Sequence, residues 1–328
     1  MHRRGLITGL AAGLGFFGAA AAAGRSPASA AAPGVSTPLR LPPPLQAGSR
    51  LVAVAPGTWW DNPDQEARIL QRRCAEAGWT LEVPAAATAR WRWFSGTDAS
   101  RRAQLERAWA DPATDAVLCV AGGWGSARIL EAGWRPSARP LWLVGFSDAS
   151  ALLLALVRAG NGGAVHGSVG GDAAQWQRLV SLLRAEPLPP LVGEGWVAGV
   201  ATGPLVVSNL TVATSLIGTP WFPSLKGCVL LLEDVGEAPY RVDRMLTQWR
   251  SAGLLQQVAG IGVGRFSWRP DELLPGDLGL EEVLRERLAD LGVPVVGGLP
   301  VGHGRPNLAL PLGRLARLDG SQGQLAML

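Results

Sequence analysis

The sequence predicts an α/β protein of two domains, the first an open parallel sheet covered by helices. Short apolar strands alternate with helical segments from residue 49 onward. The stretch Pro187-Leu188-Pro189-Pro190 interrupts that rhythm, and a second alternating segment starts near Val200. The chain has 328 residues, 48% apolar and 17% charged, which is enough for large cores and too apolar for a disordered protein.

Arg50 to Ala55 reads as a strand that ends at Pro56-Gly57. Pro63 to Ala77 has helical spacing in Ala67, Leu70, Cys74 and Ala77, with Asn62 as its cap and Gly78 at its end. Trp79 to Val83 reads as a strand and Asp98 to Ala110 as a helix. Ala116 to Val120 and Leu141 to Val144 are continuous apolar runs, as buried parallel strands are, and Ala149 to Arg158 is a helix. The first domain thus covers residues 49–170, and residues 171–199 read as a crossover. The second domain, residues 200–328, holds a strand at Cys228 to Leu232 and a helix at Val242 to Leu255. A strand at Gly260 to Arg265, a helix at Leu280 to Ala289 and a strand at Val293 to Val296 follow. A β-rich tail from Ala309 to Met327 turns at Leu312-Gly313 and Asp319-Gly320.

Residues 1–32 read as an address. A positive start, Met1-His2-Arg3-Arg4, precedes an apolar run from Gly5 to Ala23 and small-residue cleavage patterns at Ala28-Ser29-Ala30 and Ala30-Ala31-Ala32. The paired arginines resemble a twin-arginine signal, so export to the periplasm is expected. Residues 33–48, rich in Ala and Pro, read as a tether or disordered lead-in. The formal net charge of +4 owes much to Arg3, Arg4 and Arg25, and beyond residue 32 there are 27 basic and 26 acidic residues. Such a balance gives no electrostatic case for nucleic acid. Lys226 is the single lysine, so no polybasic membrane patch exists, and no 18-residue charge-free apolar run follows the leader. Cys74, Cys119 and Cys228 sit in apolar or helical contexts and read as buried thiols.

Four junctions carry candidate chemistry. In Leu143-Val144-Gly145-Phe146-Ser147-Asp148, Ser147 lies where a strand turns into a helix, a place that suits either a nucleophile or an N-cap. Gly122-Gly123-Trp124-Gly125 follows another strand; it lacks dinucleotide-binding spacing and reads as an anion cradle, an oxyanion donor or a plain turn. Glu233-Asp234-Val235-Gly236-Glu237 closes an apolar strand and suits a metal, a histidine partner or a helix cap. In the last, Gly302-His303-Gly304, the histidine reads as an exposed loop residue or a general base. Beyond His2 the only histidines are His166 and His303, so a three-histidine zinc site is impossible.

Together these segments resemble the LD-carboxypeptidases, the muramoyltetrapeptide carboxypeptidase family of serine peptidases, over roughly Leu51 to Asp319. The matching motifs are Gly122-Gly123-Trp124-Gly125 with Arg128, Gly145-Phe146-Ser147-Asp148, Asn209-Leu210 with Leu216-Ile217-Gly218-Thr219-Pro220, Leu232-Glu233-Asp234-Val235 with Pro239-Tyr240-Arg241 and Asp243-Arg244-Met245-Leu246, and Gly298-Leu299-Pro300 with Gly302-His303. The resemblance implies a Rossmann-like N-terminal domain and a C-terminal swivelling β/β/α-type domain with the site between them. It implies Ser147 as nucleophile, Glu233 as triad acid and His303 as base, with the amides of Gly123 and Asp148 as the oxyanion hole. Trp124, Asn209, Arg241 and Arg244 become candidates for substrate binding. No metal or cofactor is implied. The implied substrate is the murein stem peptide or a muropeptide, cut before a terminal D-alanine, and the implied assembly is a homodimer. Ala121 stands where the family usually has Arg, Val207-Ser208 where it has Gly-Gly, and Trp124 where Tyr is common. These departures bear on substrate identity more than on reaction class. Two other readings stay open: a hydrolase of this fold acting on another peptide-like amide, and a murein-fragment binder without chemistry.

Overall fold

A computed structural model describes residues 39–269, 273 and 275–328. Residues 1–32, expected as a signal peptide, and residues 33–38 of the expected lead-in lie outside them. Residues 39–48, expected as a tether, are mostly exposed but are held to the first half of the chain at particular points. Leu45 is buried and its amide donates to Leu183 O at 2.8 Å, while the Trp142 indole donates to Pro43 O at 2.8 Å.

The first half runs β1 (Arg50–Val54), α1 (Pro63–Glu76), β2 (Thr80–Glu82), α2 (Asp98–Ala110), β3 (Ala116–Cys119), α3 (Ser126–Glu131), β4 (Trp142–Gly145), α4 (Ser150–Arg158), β5 (Ala164–His166) and α5 (Ala173–Leu183). The second half runs β6 (Leu191–Val192), β7 (Glu194–Val197), β8 (Val200–Asn209), α6 (Leu210–Leu216), β9 (Val229–Val235), α7 (Pro239–Ser251), β10 (Gly260–Ser267), α8 (Leu280–Leu288), β11 (Val295–Gly297), β12 (Leu310–Pro311), β13 (Leu315–Asp319) and β14 (Gln324–Met327).

Among the described residues these strands form two sheets, ordered β12-β5-β4-β3-β1-β2 and β6-β14-β13-β8-β9-β10-β11-β7. The first is parallel apart from β12, which joins β5 antiparallel with Leu310 opposite His166. In the second, β8, β9, β10 and β11 are parallel and antiparallel strands extend both ends. The segment expected as a crossover is divided between them. Its helix α5 packs into the first sheet's core through Trp176 and Leu179, and β6 and β7 form the two edges of the second sheet.

Strand alternation sends neighbouring residues to opposite faces. On β3, Ala116 and Leu118 face the core under α1 and α5, whereas Val117 and Cys119 face the core that holds α2, α3 and α4. That second core continues unbroken into β8, β9 and α6. Helix α4 lies inside it: every residue from Ser150 to Val157 is buried. Its sequence, apolar all round, is what a helix needs when both sides are covered.

Local signals explain most ends. Thr97 Oγ1 accepts the Ser100 amide at 3.2 Å, and Asp172 and Gln175 form a reciprocal cap on α5. Asn62 makes no capping bond; α1 starts instead on Pro63, whose missing N–H costs nothing there. Helix α7 likewise starts on Pro239, three residues before the first apolar position of its spacing.

Candidate active site

The four junctions come from both halves of the chain, and the structure brings three of their side chains into one hydrogen-bonded row. Ser147 Oγ lies 3.0 Å from His303 Nε2, and His303 Nδ1 lies 2.7 Å from Glu233 Oε2. The His303 amide also donates to Glu233 Oε2 at 3.2 Å, so the carboxylate fixes both the ring and its backbone.

Ser147 follows β4 and Phe146 at the C-terminal edge of the first sheet. Its φ is +58°, a conformation that costs a residue with a Cβ about 1–2 kcal/mol. Ser147 makes no side-chain cap, and the residue at the cap of α4 is Ala149, so the N-cap role that spacing also allowed is not the one it takes. The glycine turn after β3 comes close behind it. A Cβ on Gly122 would stand 3.1 Å from Ser147 Cβ and 3.3 Å from its Oγ. Gly123 takes φ +82°, and a Cβ there would meet Thr58 at 2.8 Å. The turn is strapped by the Asp148 carboxylate, which accepts the amides of Gly125 at 3.1 Å and Ser126 at 2.9 Å. Burial pushes the Asp148 carboxyl above the usual range, and these two donors pull it back toward the charged form.

Glu233 ends the apolar run of β9 and is fully buried. Opposite it, β10 shifts register between Val263 and Phe266. Such a bulge re-aims the neighbouring strand. Gly264 and Gly302 let the His303 loop pass: a Cβ on Gly264 would meet Val301 O at 2.6 Å, and one on Gly302 would meet Glu233 Cβ at 2.7 Å. Arg265 holds the far side of that loop through Arg305 O at 2.9 Å. The Phe146 ring lies 4.4 Å from the His303 ring and 5.3 Å from that of His166.

The acidic cluster divides its roles. Glu233 takes the histidine. Asp234 accepts from Asn209 Nδ2 at 2.9 Å, from the Thr211 amide at 2.9 Å and from Thr211 Oγ1 at 2.8 Å. Glu237 pairs with Arg241 at 3.6 Å. Asn209 is buried and its amide is fully engaged, since Oδ1 also caps α6 through the Val212 amide at 3.0 Å. Its backbone amide donates to Ser150 Oγ at 3.4 Å, which joins the end of β8, the neighbour of the acid's strand β9, to the start of α4. Trp124 stands exposed on the glycine turn. Arg241 and Arg244 lie on α7, over the exposed Tyr240 ring at 5.8 and 5.9 Å. Ala121, Gly122 and Phe146 also line an open cavity of about 380 Å³ together with Trp60, Glu66 and Arg73. Among the described residues no His, Cys, Asp and Glu group is arranged to hold a metal.

Sequence reasoning missed His166. It is fully buried at the end of β5, with Nε2 4.0 Å from Glu233 Oε1. The signal was a polar residue closing the apolar strand Ala164–His166.

The sequence profile of the LD-carboxypeptidase N-terminal domain matches residues 50–167, and that of the C-terminal domain matches residues 202–318. The chain belongs to the LD-carboxypeptidase family. Within it, "Putative carboxypeptidase slr1534" of Synechocystis sp. is 44% identical over 296 residues, 88% of this chain and 97% of that protein. The murein tetrapeptide carboxypeptidase of Pseudomonas aeruginosa is 34% identical over 254 residues, 71% of this chain and 82% of that one. The crystal structure of muramoyltetrapeptide carboxypeptidase from Oxalobacter formigenes aligns with a TM-score of 0.72 at 25% identity, covering 84% of this chain and 97% of that chain. This protein therefore has the two-domain α/β fold of the LD-carboxypeptidases and is a peptidase.

Proposed function

We propose that this LD-carboxypeptidase is a serine peptidase that removes the terminal D-alanine from a murein tetrapeptide. The row Ser147–His303–Glu233 carries the reading, because its two contacts, 3.0 and 2.7 Å, match what a nucleophile, a base and an orienting acid require. His303 Nε2 takes the Ser147 proton as Oγ attacks the scissile carbonyl. Glu233 holds the Nδ1–H tautomer and stabilises the imidazolium. The amides of Gly123 and Asp148 receive the oxyanion, and one such donor is worth about 3 kcal/mol. His303 then returns the proton to the leaving amine, and water releases the tripeptide acyl group from Ser147. The substrate assignment is supported by relatives named for murein tetrapeptide. The leader at residues 1–32 supports action outside the cytoplasm, in the periplasm.

Mass spectrometry of disaccharide-tetrapeptide and disaccharide-pentapeptide, incubated with the protein and with Ser147→Ala, tests this. Loss of one D-alanine from the tetrapeptide alone, absent in the variant, is expected. Turnover that survives in a well-folded Ser147→Ala protein removes Ser147 from the nucleophile role. An unchanged mass with every stem peptide moves the activity to another amide.

A further inference from the structure

We infer that His166 is a positioning residue, whose Nε2–H is aimed at Glu233 Oε1 so that Oε2 stays presented to His303. This rests on reading Ser147, His303 and Glu233 as the reacting row.

Three polar atoms at this place are buried without a hydrogen-bond partner among the described residues: His166 Nδ1, His166 Nε2 and Glu233 Oε1. An unpaired buried polar atom costs about 1–3 kcal/mol, so a donor and an acceptor left facing one another call for an account. Two of the three face one another, Nε2 to Oε1, at 4.0 Å. A movement of about 1 Å closes that gap to hydrogen-bond length. The other carboxylate oxygen, Oε2, is already taken by the ring and amide of His303. A carboxylate held at one oxygen can swing about its last side-chain torsion, which is broad and soft. Held at both, it cannot turn away as the imidazolium forms.

The surroundings fix the donor. His166 ends β5, between Gly145 of β4 and Leu310 of β12 in the sheet. The Phe146 ring stands edge-on to it at 85°, and the charged or titratable groups that it feels are Glu233 and His303. Burial pushes its imidazole down to about 4, so at neutral pH it carries one proton and can donate through one nitrogen only. The acceptor at Oε1 selects Nε2–H. The same helper recurs where an outer partner orients a working side chain without touching substrate.

Nitrogen-15 NMR of the histidine-labelled full chain reads the tautomer directly. A neutral His166 protonated at Nε2 is expected. Protonation at Nδ1 at neutral pH overturns the inference, with no variant needed. Two substitutions add a functional readout through the rate of Ser147 labelling by a fluorophosphonate. His166→Phe keeps a ring and deletes the donor, and labelling about 10- to 100-fold slower is expected. His166→Gln places an amide N–H near Nε2 and should return labelling to within about threefold of the wild type. A folded His166→Phe protein labelled at the wild-type rate overturns the inference, as does a Gln variant as slow as Phe. Should His166→Phe not fold, the wild-type tautomer decides alone. An unlabelled wild type sinks the serine-peptidase reading instead, and the tautomer still decides the role of His166.

Discussion

The carboxylate of Asp148 accepts the backbone amide of Ser126 at 2.9 Å, across 22 residues of sequence. The residue after Ser147 therefore fixes the glycine turn that carries Gly123. One side chain sets the distance between the two amides proposed to receive the oxyanion.

Asp148→Ala leaves the buried amides of Gly125 and Ser126 without their acceptor. Each such loss costs about 1–3 kcal/mol, so a clear drop in melting temperature is expected. Labelling of Ser147 should fall with it. Asp148→Asn keeps one acceptor oxygen and should fall between the two. Equal melting temperatures for wild type and Ala variant would show that Asp148 is not the strap.

Gly302→Ala should damage the site while sparing the fold. The glycine has φ +110°, and a Cβ would lie 2.7 Å from Glu233 Cβ and from Oε2. Either the loop or the acid must yield, and both hold His303. A strong loss of Ser147 labelling in a protein with native circular dichroism is the expected result. Unchanged labelling would mean that the loop absorbs the methyl group without moving the acid.

Asn209→Ala separates a structural from a substrate-binding role. The amide caps α6 and donates to Asp234, whose carboxyl burial pushes above its usual range while Thr211 and Asn209 favour the charged form. Loss of the cap alone costs about 1 kcal/mol. A lowered denaturant midpoint with a near-normal KM supports the structural role. A raised KM with full stability assigns Asn209 to the substrate.

Stability should fall on acidification partly through His166. Its folded pKa, about 4, lies below the ordinary 6.5, so the unfolded chain binds the proton more readily. The contribution is complete above about pH 6.5 and is lost as pH falls toward 4, amounting to about 3 kcal/mol. Asp148 and Asp234 act with the opposite sign, since a raised carboxyl pKa costs stability as pH rises past the usual carboxylate range. The difference between wild type and His166→Phe isolates the histidine. Denaturant curves at pH 7 and pH 4 should show the variant losing less stability on acidification than the wild type. Equal losses would contradict the buried neutral imidazole.

The three thiols should be unreactive in the native state. All are buried, and burial pushes Cys74 up to about 12, Cys228 up to about 11 and Cys119 higher still. The thiolate is the reactive form, so a thiol reagent should find none until the chain is denatured and then find three. A native thiol that reacts quickly would place a cysteine in an open environment.

The apolar runs of β1, β3, β4 and β9 and the glycines and acids at their ends were legible because strand burial and turn chemistry leave local marks. Ser147 could not be separated from a helix cap by spacing, since both occupy the start of a helix; its φ and its contact with His303 separate them. Residues 39–48 look like a tether in composition, yet Leu45 finds a buried site that only the folded sheet provides. His166 is a third case. A histidine at a strand end can face solvent or core, and the answer depends on β12, which arrives 144 residues later to pair Leu310 with it.

The sequence by itself determined the elements, the glycine turns and the side chains able to do chemistry, because those depend on neighbours a few residues away. Only the tertiary structure decided which of them meet. Ser147 and His303 are 156 residues apart, and Glu233 is 70 from His303. They converge because α4, apolar on every side, is buried against α6 and β8, which brings the serine's sheet edge to the acid's. Burial against a distant partner is a property of the packed chain, and no local pattern records which partner that is.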